Sequence, residues 1–151
     1  MTALPRFTTT AVLALALALA AAAPAAFAAD AETGSLTVTF QGFKTKTGAV
    51  MLSLSSSEAA YDGKAPSPGQ MAPVTGDTAS VTFKDLAPGR YAIKAFHDVD
   101  GDGKMSTNPF GIPTEPFAFS NNAHGSMGPA KWADAGFDVK AGANTQTITI
   151  D

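Results

Sequence analysis

"GRYAIKAFHD", residues 89–98, is the stretch on which the fold turns. Tyr91, Ile93, Ala95 and His97 fall on one side of an extended chain, and Arg90, Ala92, Lys94 and Phe96 on the other. Alternation of this kind, with a period of two, marks a half-buried strand rather than a helix. The side carrying Tyr91 is expected to face a core. His97 then ends the strand on the core register, next to the acidic turn "DVDGDG" at 98–103.

The same pattern recurs outward from this strand. In "SLTVTF", 35–40, Leu36, Val38 and Phe40 oppose Thr37 and Thr39; in "AVMLSLS", 49–55, Val50, Leu52 and Leu54 oppose Ser53 and Ser55. Val81 with Phe83, Phe137 with Val139, and Ile148 with Ile150 repeat it. Turn signals separate these runs at Lys46-Thr47-Gly48, Gly76-Asp77, Ala87-Pro88-Gly89 and Ala141-Gly142. No helical period persists, although "SSEAAYDG", 56–63, suits a single helical turn, and the Pro-rich "APSPGQMAP", 65–73, reads as a surface loop. Six strands, with a seventh near Phe117–Phe119, predict an all-β protein: an antiparallel two-sheet sandwich of Ig-like or prealbumin-like Greek-key type. A small barrel is the alternative.

Between Val99 and Asp134 the alternation stops and Gly, Pro and Asn accumulate. So long an irregular stretch inside a compact domain is usually functional or disordered. Phe110, Ile112, Phe117, Phe119 and Trp132 are too apolar for disorder, which predicts an ordered excursion over one end or edge of the sandwich.

Residues 1–28 read as a secretory signal peptide. Arg6 precedes an uncharged apolar run from Ala11 to Ala23, and Ala26-Phe27-Ala28 supplies an A-x-A cleavage pattern. The run is shorter than the ~20 residues of a spanning helix, so no transmembrane anchor is expected in the mature form. Residues 29–151 are then one exported domain, periplasmic or secreted. With no cysteine, disulfide scaffolding and thiol chemistry are excluded. Removing Arg6 from the 10 basic residues leaves 9 against 13 acidic, a net charge of −4, without a basic cluster that would suit nucleic acid.

Asp98, Asp100, Asp102 and Gly103 match the first half of a calcium loop, D-x-D-x-D-G. Alternate residues of a tight turn bring hard oxygen ligands to one point. The twelfth position of an EF-hand, normally glutamate, is Pro109, and no helices flank the loop. Calcium would therefore need Glu115 and Asn121 to close its shell, with His97 supporting it from behind. The alternative is a bare acidic turn, since Asp-Gly pairs also make turns without metal. His97, Asp98, Glu115 and His124 form a second candidate set, for a metal-dependent hydrolase, although their spacing fits no zinc motif. Ser120 and Ser126 lack a nucleophile elbow. Phe110, Phe117, Phe119 and Trp132 either pack the excursion or form a binding surface.

"GSLTVTF", the block "LAPGRYAIKAFHDVDGDGKMSTNPFGIPTEPFAFSNNA", "GPAKWADAGFDV" and a terminal "TITI" occur in this order from Gly34 to Ile150. The combination resembles the bacterial secreted family called domain of unknown function 2141. "LAPGRYAIKAF" alone is also similar to a strand of prealbumin-like and carboxypeptidase regulatory-like sandwiches. The resemblance implies an exported sandwich and carries no catalytic residue with it. Pro116 and Ala118 stand where such proteins typically have glycine. The expectation is a non-enzymatic exported module that binds an envelope or extracellular protein or glycan, with calcium as its cofactor. A carrier of a small apolar ligand, with a cavity lined by Phe117, Phe119 and Trp132, is the further alternative.

Overall fold

The computed structural model describes residues 32–151; the leader expected over 1–28 lies outside the described residues. The chain runs β1 (Gly34–Gln41), β2 (Ala49–Ser55), α1 (Glu58–Tyr61), β3 (Gly69–Pro73), β4 (Thr78–Leu86), β5 (Gly89–Asp98) and β6 (Phe117–Phe119). A 3₁₀ turn (Ser120–Asn122), α2 (Trp132–Ala135), β7 (Phe137–Val139) and β8 (Gly142–Thr149) complete it. Among the described residues no helix is long and apolar enough to cross a membrane.

Two sheets form the predicted sandwich. The smaller has the order β4-β1-β8; the larger has the order β3-β2-β5-β6, with β7 also pairing β5. β6 takes Lys94 to Phe96 and β7 takes Gly89 to Tyr91, so both use the edge of β5 that β2 leaves open. Leu36, Val38 and Phe40 from β1, Val50 and Leu54 from β2, and Ile93 from β5 are completely or almost completely buried between the sheets. Each lies on the face that alternation assigned to the core.

Two features depart from the expected pattern. The β1–β8 pairing is parallel, Gly34 opposite Gly142 and Gln41 opposite Thr149. No hairpin joins these strands, so turn geometry does not force them antiparallel. The second is β3, which occupies part of the Pro-rich stretch expected to be a loop. It is an edge strand paired only through β2, and Pro73 sits at its end, where a missing N–H is tolerated. The predicted helical turn is α1, capped by the Ser57 hydroxyl, which accepts from Ala60 N–H at 3.2 Å.

The two outer faces differ in chemistry. On the smaller sheet Thr37 and Thr82 share a hydroxyl hydrogen bond of 3.0 Å, and Thr39 and Ser80 one of 3.1 Å, both exposed. On the larger sheet the outward positions of β2, β3 and β5 include Met51, Met71 and Phe96, an apolar face that the excursion partly covers. Tyr61, Ala92, Phe119, Ala130 and Ala135 form a second buried cluster on that side.

Phe40→Ala should cost about 3–5 kcal/mol in urea denaturation, as for other fully buried phenylalanines. Thr39→Ala, which removes only an exposed hydroxyl bond, should cost less than about 1 kcal/mol.

Candidate functional site

The acidic turn begins where β5 ends. Asp98 accepts from Gly101 N–H at 2.8 Å through Oδ1 and from Gly103 N–H at 2.9 Å through Oδ2. Asp100 accepts from Asp102 N–H at 3.2 Å and Asp102 from Lys104 N–H at 2.7 Å. Gly101 and Gly103 have φ of +77° and +75°, which L side chains rarely adopt, so the loop can coil tightly here. One carboxylate oxygen from each of Asp98, Asp100 and Asp102 lies within 4.8 Å of the others. Among the described residues this is the only such group of three acidic or imidazole side chains.

Glu115 folds back to the turn, as the strand register dictates. Phe96 pairs with Phe117, and His97 N–H donates to the Pro116 carbonyl at 2.8 Å, so Glu115 falls level with Asp98. Its Oε1 accepts from Val99 N–H and its Oε2 from Ser106 N–H, each at 3.0 Å. The buried carboxylate therefore ties together the two ends of the acidic loop.

Asn121 goes elsewhere. Its amide donates to the carbonyls of Asp134 at 3.1 Å and Gly136 at 2.9 Å, beside the β5–β7 pairing. Gly136 is level with Ala92, six residues before Asp98, or roughly 20 Å of extended strand. Asn121 therefore braces the return of the excursion and does not meet the acidic turn. Asn122 works in the same way, its Oδ1 accepting from Thr149 N–H at 2.8 Å.

His97 is buried inside the sandwich. Its Nε2 lies 2.7 Å from the Thr47 carbonyl oxygen, and its ring meets Phe43 edge-on at 5.1 Å. His124 is exposed on the excursion. His97, Asp98, Glu115 and His124 thus do not converge as the hydrolase set requires. Ser120 is structural: its hydroxyl accepts from Ile93 N–H at 2.8 Å and donates to the Ala135 carbonyl at 2.6 Å.

The four aromatics separate. Phe117 and Phe119 meet edge-on at 5.8 Å and line a large groove; Trp132 instead packs edge-on against Tyr61 at 5.8 Å. Phe110, 88 % exposed, lies outside the groove lining.

The groove, of about 1220 Å³, runs over the outer face of the larger sheet. Its floor is a row of directly paired residues across four strands: Met71, Met51, Phe96 and Phe117. A second row, Gly69, Ser53, Lys94 and Phe119, lies beside it. The excursion adds Met105 and Ile112 from one segment and Met127 from another. Strand alternation places Met51 and Phe96 on the outer register, so two large apolar side chains facing away from the core were the available sequence signal. Met105 and Met127 had none, because their positions depend on how the excursion folds.

The chain belongs to the family described as "Uncharacterized protein conserved in bacteria (DUF2141)", whose model matches residues 38–148. That span takes in the acidic turn, Glu115 and the excursion. No curated protein and no solved structure matches the chain.

Glu115→Ala should destabilise the protein by about 2–3 kcal/mol, because it strips the acceptors from Val99 and Ser106 N–H. Glu115→Gln, which keeps one carbonyl oxygen, should lose less, as measured by chemical denaturation. Tyr61 gives a pH signature. Burial, assisted by Asp62 and Asp134, pushes its phenol up to about 12, and its hydroxyl donates to the Ala130 carbonyl at 2.9 Å. The folded state holds this proton more tightly than the unfolded state. Tyr61 thus adds stability that is complete below the ordinary tyrosine value of 10.0 and lost as pH rises through about 12. Tyr61→Phe should remove that part of the alkaline decline.

Proposed function

We propose that the chain is an exported, non-enzymatic binding module that holds an apolar ligand between its larger sheet and the excursion. The observation that carries this is the groove: its floor and walls are methionine, phenylalanine and isoleucine, with few polar side chains among them. Soluble proteins rarely leave a large contiguous apolar face uncovered, and such faces mark binding sites. Its volume exceeds the roughly 300–1,000 Å³ of ordinary small-molecule pockets, which suits an extended occupant. A glycan, one of the partners expected from the sequence, suits this lining less well, because its hydroxyls would lose water without finding hydrogen-bond partners.

The acidic turn is proposed to hold calcium in support of the groove. Three carboxylates gather within 4.8 Å, and neither salt bridge among the described residues, Lys46–Asp77 or Lys64–Asp62, compensates them. A hard cation would relieve their repulsion. Asp98, Asp100 and Asp102 would supply side-chain oxygens, while Glu115, engaged with Val99 and Ser106, would fix the loop's two ends. The cation would stiffen the segment that carries Met105 into the groove.

Titration with the neutral dye Nile red tests the groove. Saturable binding is expected, and it should be lost in Met71→Asp/Ile112→Asp, two exposed lining positions whose change spares the core. No saturable binding to the native chain would sink the proposal. Calcium at a hundredfold excess over Kd should add about 2.7 kcal/mol, a rise in Tm of several degrees reversed by chelator and absent in Asp100→Ala. A Tm indifferent to calcium would remove the metal.

A further inference from the structure

We infer that the groove takes a single-chain amphiphile with a carboxylate head, a fatty-acid-like molecule whose head sits at Lys94 and whose chain lies along the Met71–Met51–Phe96–Phe117 row. This rests on the groove being a ligand site, as proposed above, and adds what occupies it.

Among the described residues Lys94 is the one charged side chain lining the groove. It occupies the outer face of β5, two residues or about 7 Å from Phe96, flanked directly by Ser53 on β2 and Phe119 on β6. It is half-buried, and among the described residues both interactions recorded for its ammonium are with Tyr61. The ammonium donates to the Tyr61 carbonyl oxygen at 2.5 Å and lies 4.2 Å from the centre of the Tyr61 ring. A carbonyl and an aromatic face orient a cation without neutralising it. Neither salt bridge among the described residues involves Lys94. A partly desolvated ammonium with donors to spare, beside an apolar channel, is complementary to an anion with an apolar tail.

The remaining lining describes that tail. Four of the protein's five methionines, Met51, Met71, Met105 and Met127, face this one groove. Thioether side chains are flexible and polarizable, and they adapt to a chain that lacks a fixed shape. The floor row crosses four strands, about 14 Å at ordinary strand spacing, a length comparable to an extended alkyl chain of about twelve carbons. One ammonium matches one negative charge. A phosphate monoester, with about −1.5 to −2 charges at neutral pH, would be left only partly compensated.

The test is competition against Nile red by dodecanoate, dodecanol, dodecylamine and dodecyl phosphate at neutral pH, with sedimentation of the same samples. Dodecanoate is expected to bind roughly tenfold to a hundredfold more tightly than dodecanol, the range of a hydrogen bond to a charged group. Dodecylamine should bind weakest, and dodecyl phosphate no better than dodecanoate. Lys94→Met, which keeps the apolar stem, should erase the preference for dodecanoate over dodecanol. Lys94→Arg should retain the preference. If Nile red binds but dodecanoate and dodecanol compete equally, or if Lys94→Met leaves the preference unchanged, the carboxylate assignment fails and the groove survives. Tighter binding of dodecyl phosphate would likewise overturn the choice of head group. If no probe binds, or if the protein self-associates through this face and dodecanoate does not disperse it, the groove proposal fails as well.

Discussion

The pairing of β5 along both of its edges is the constraint on which the rest of this molecule depends. β2 occupies one edge over Ala92 to Asp98, while β6 and β7 share the other. Its inner face supplies Tyr91, Ile93, Ala95 and His97 to the sandwich, and its outer face supplies Ala92, Lys94 and Phe96 to the excursion side. Its last residue, Asp98, opens the acidic turn. Because side chains alternate strictly, a slip of one residue would put Lys94 into the core and expose Ile93. The register of one strand thus places core, groove and turn together.

The excursion is held by polar contacts that follow from this register. Glu115 closes the acidic loop at the level of Asp98, and Ser120 caps Ile93 N–H five residues back along β5. Asn121 and Asn122, with φ of 60° and 50°, turn the chain and fasten it to α2, to Gly136 just before β7, and to β8. Such contacts replace a regular ladder where the sequence has too many Gly and Pro residues to form one. Their geometry leaves the outer face of the larger sheet roofed at the Tyr61 end and open along the methionine row. No side-chain donor or acceptor buried among the described residues lacks a partner, so the irregular path does not carry the penalty of unpaired polar groups.

Most of the fold was legible in the chain. Six runs of alternation became strands with the expected faces, the short Phe117–Phe119 strand formed, and Ser57 capped the one helical turn read in "SSEAAYDG". β3 was hidden because Pro66 and Pro68 before it and Pro73 at its end signal a loop, and an edge strand tolerates a terminal proline. The site was only partly legible. Asp98, Asp100 and Asp102 converge through a spacing visible in the sequence, and Glu115 joins the turn. Asn121 does not, because it lies on the far side of β6 from the turn. Phe117 and Phe119 line the groove while Trp132 packs on Tyr61, a division that four aromatics in one irregular stretch do not reveal.

What the sequence determined by itself is local: which residues alternate, where the chain turns, and which carboxylates share a loop, since periods of two and tight turns need only near neighbours. What only the tertiary structure decided is non-local. An outward-facing Met51 or Phe96 meets solvent or a groove depending on how residues 99–136 return over the sheet, and that path is set by contacts between positions far apart in the chain. Lys94 shows the difference most clearly. Alternation places it on the outer face, but only the fold brings its ammonium against the carbonyl and ring of Tyr61 at the side of the apolar groove.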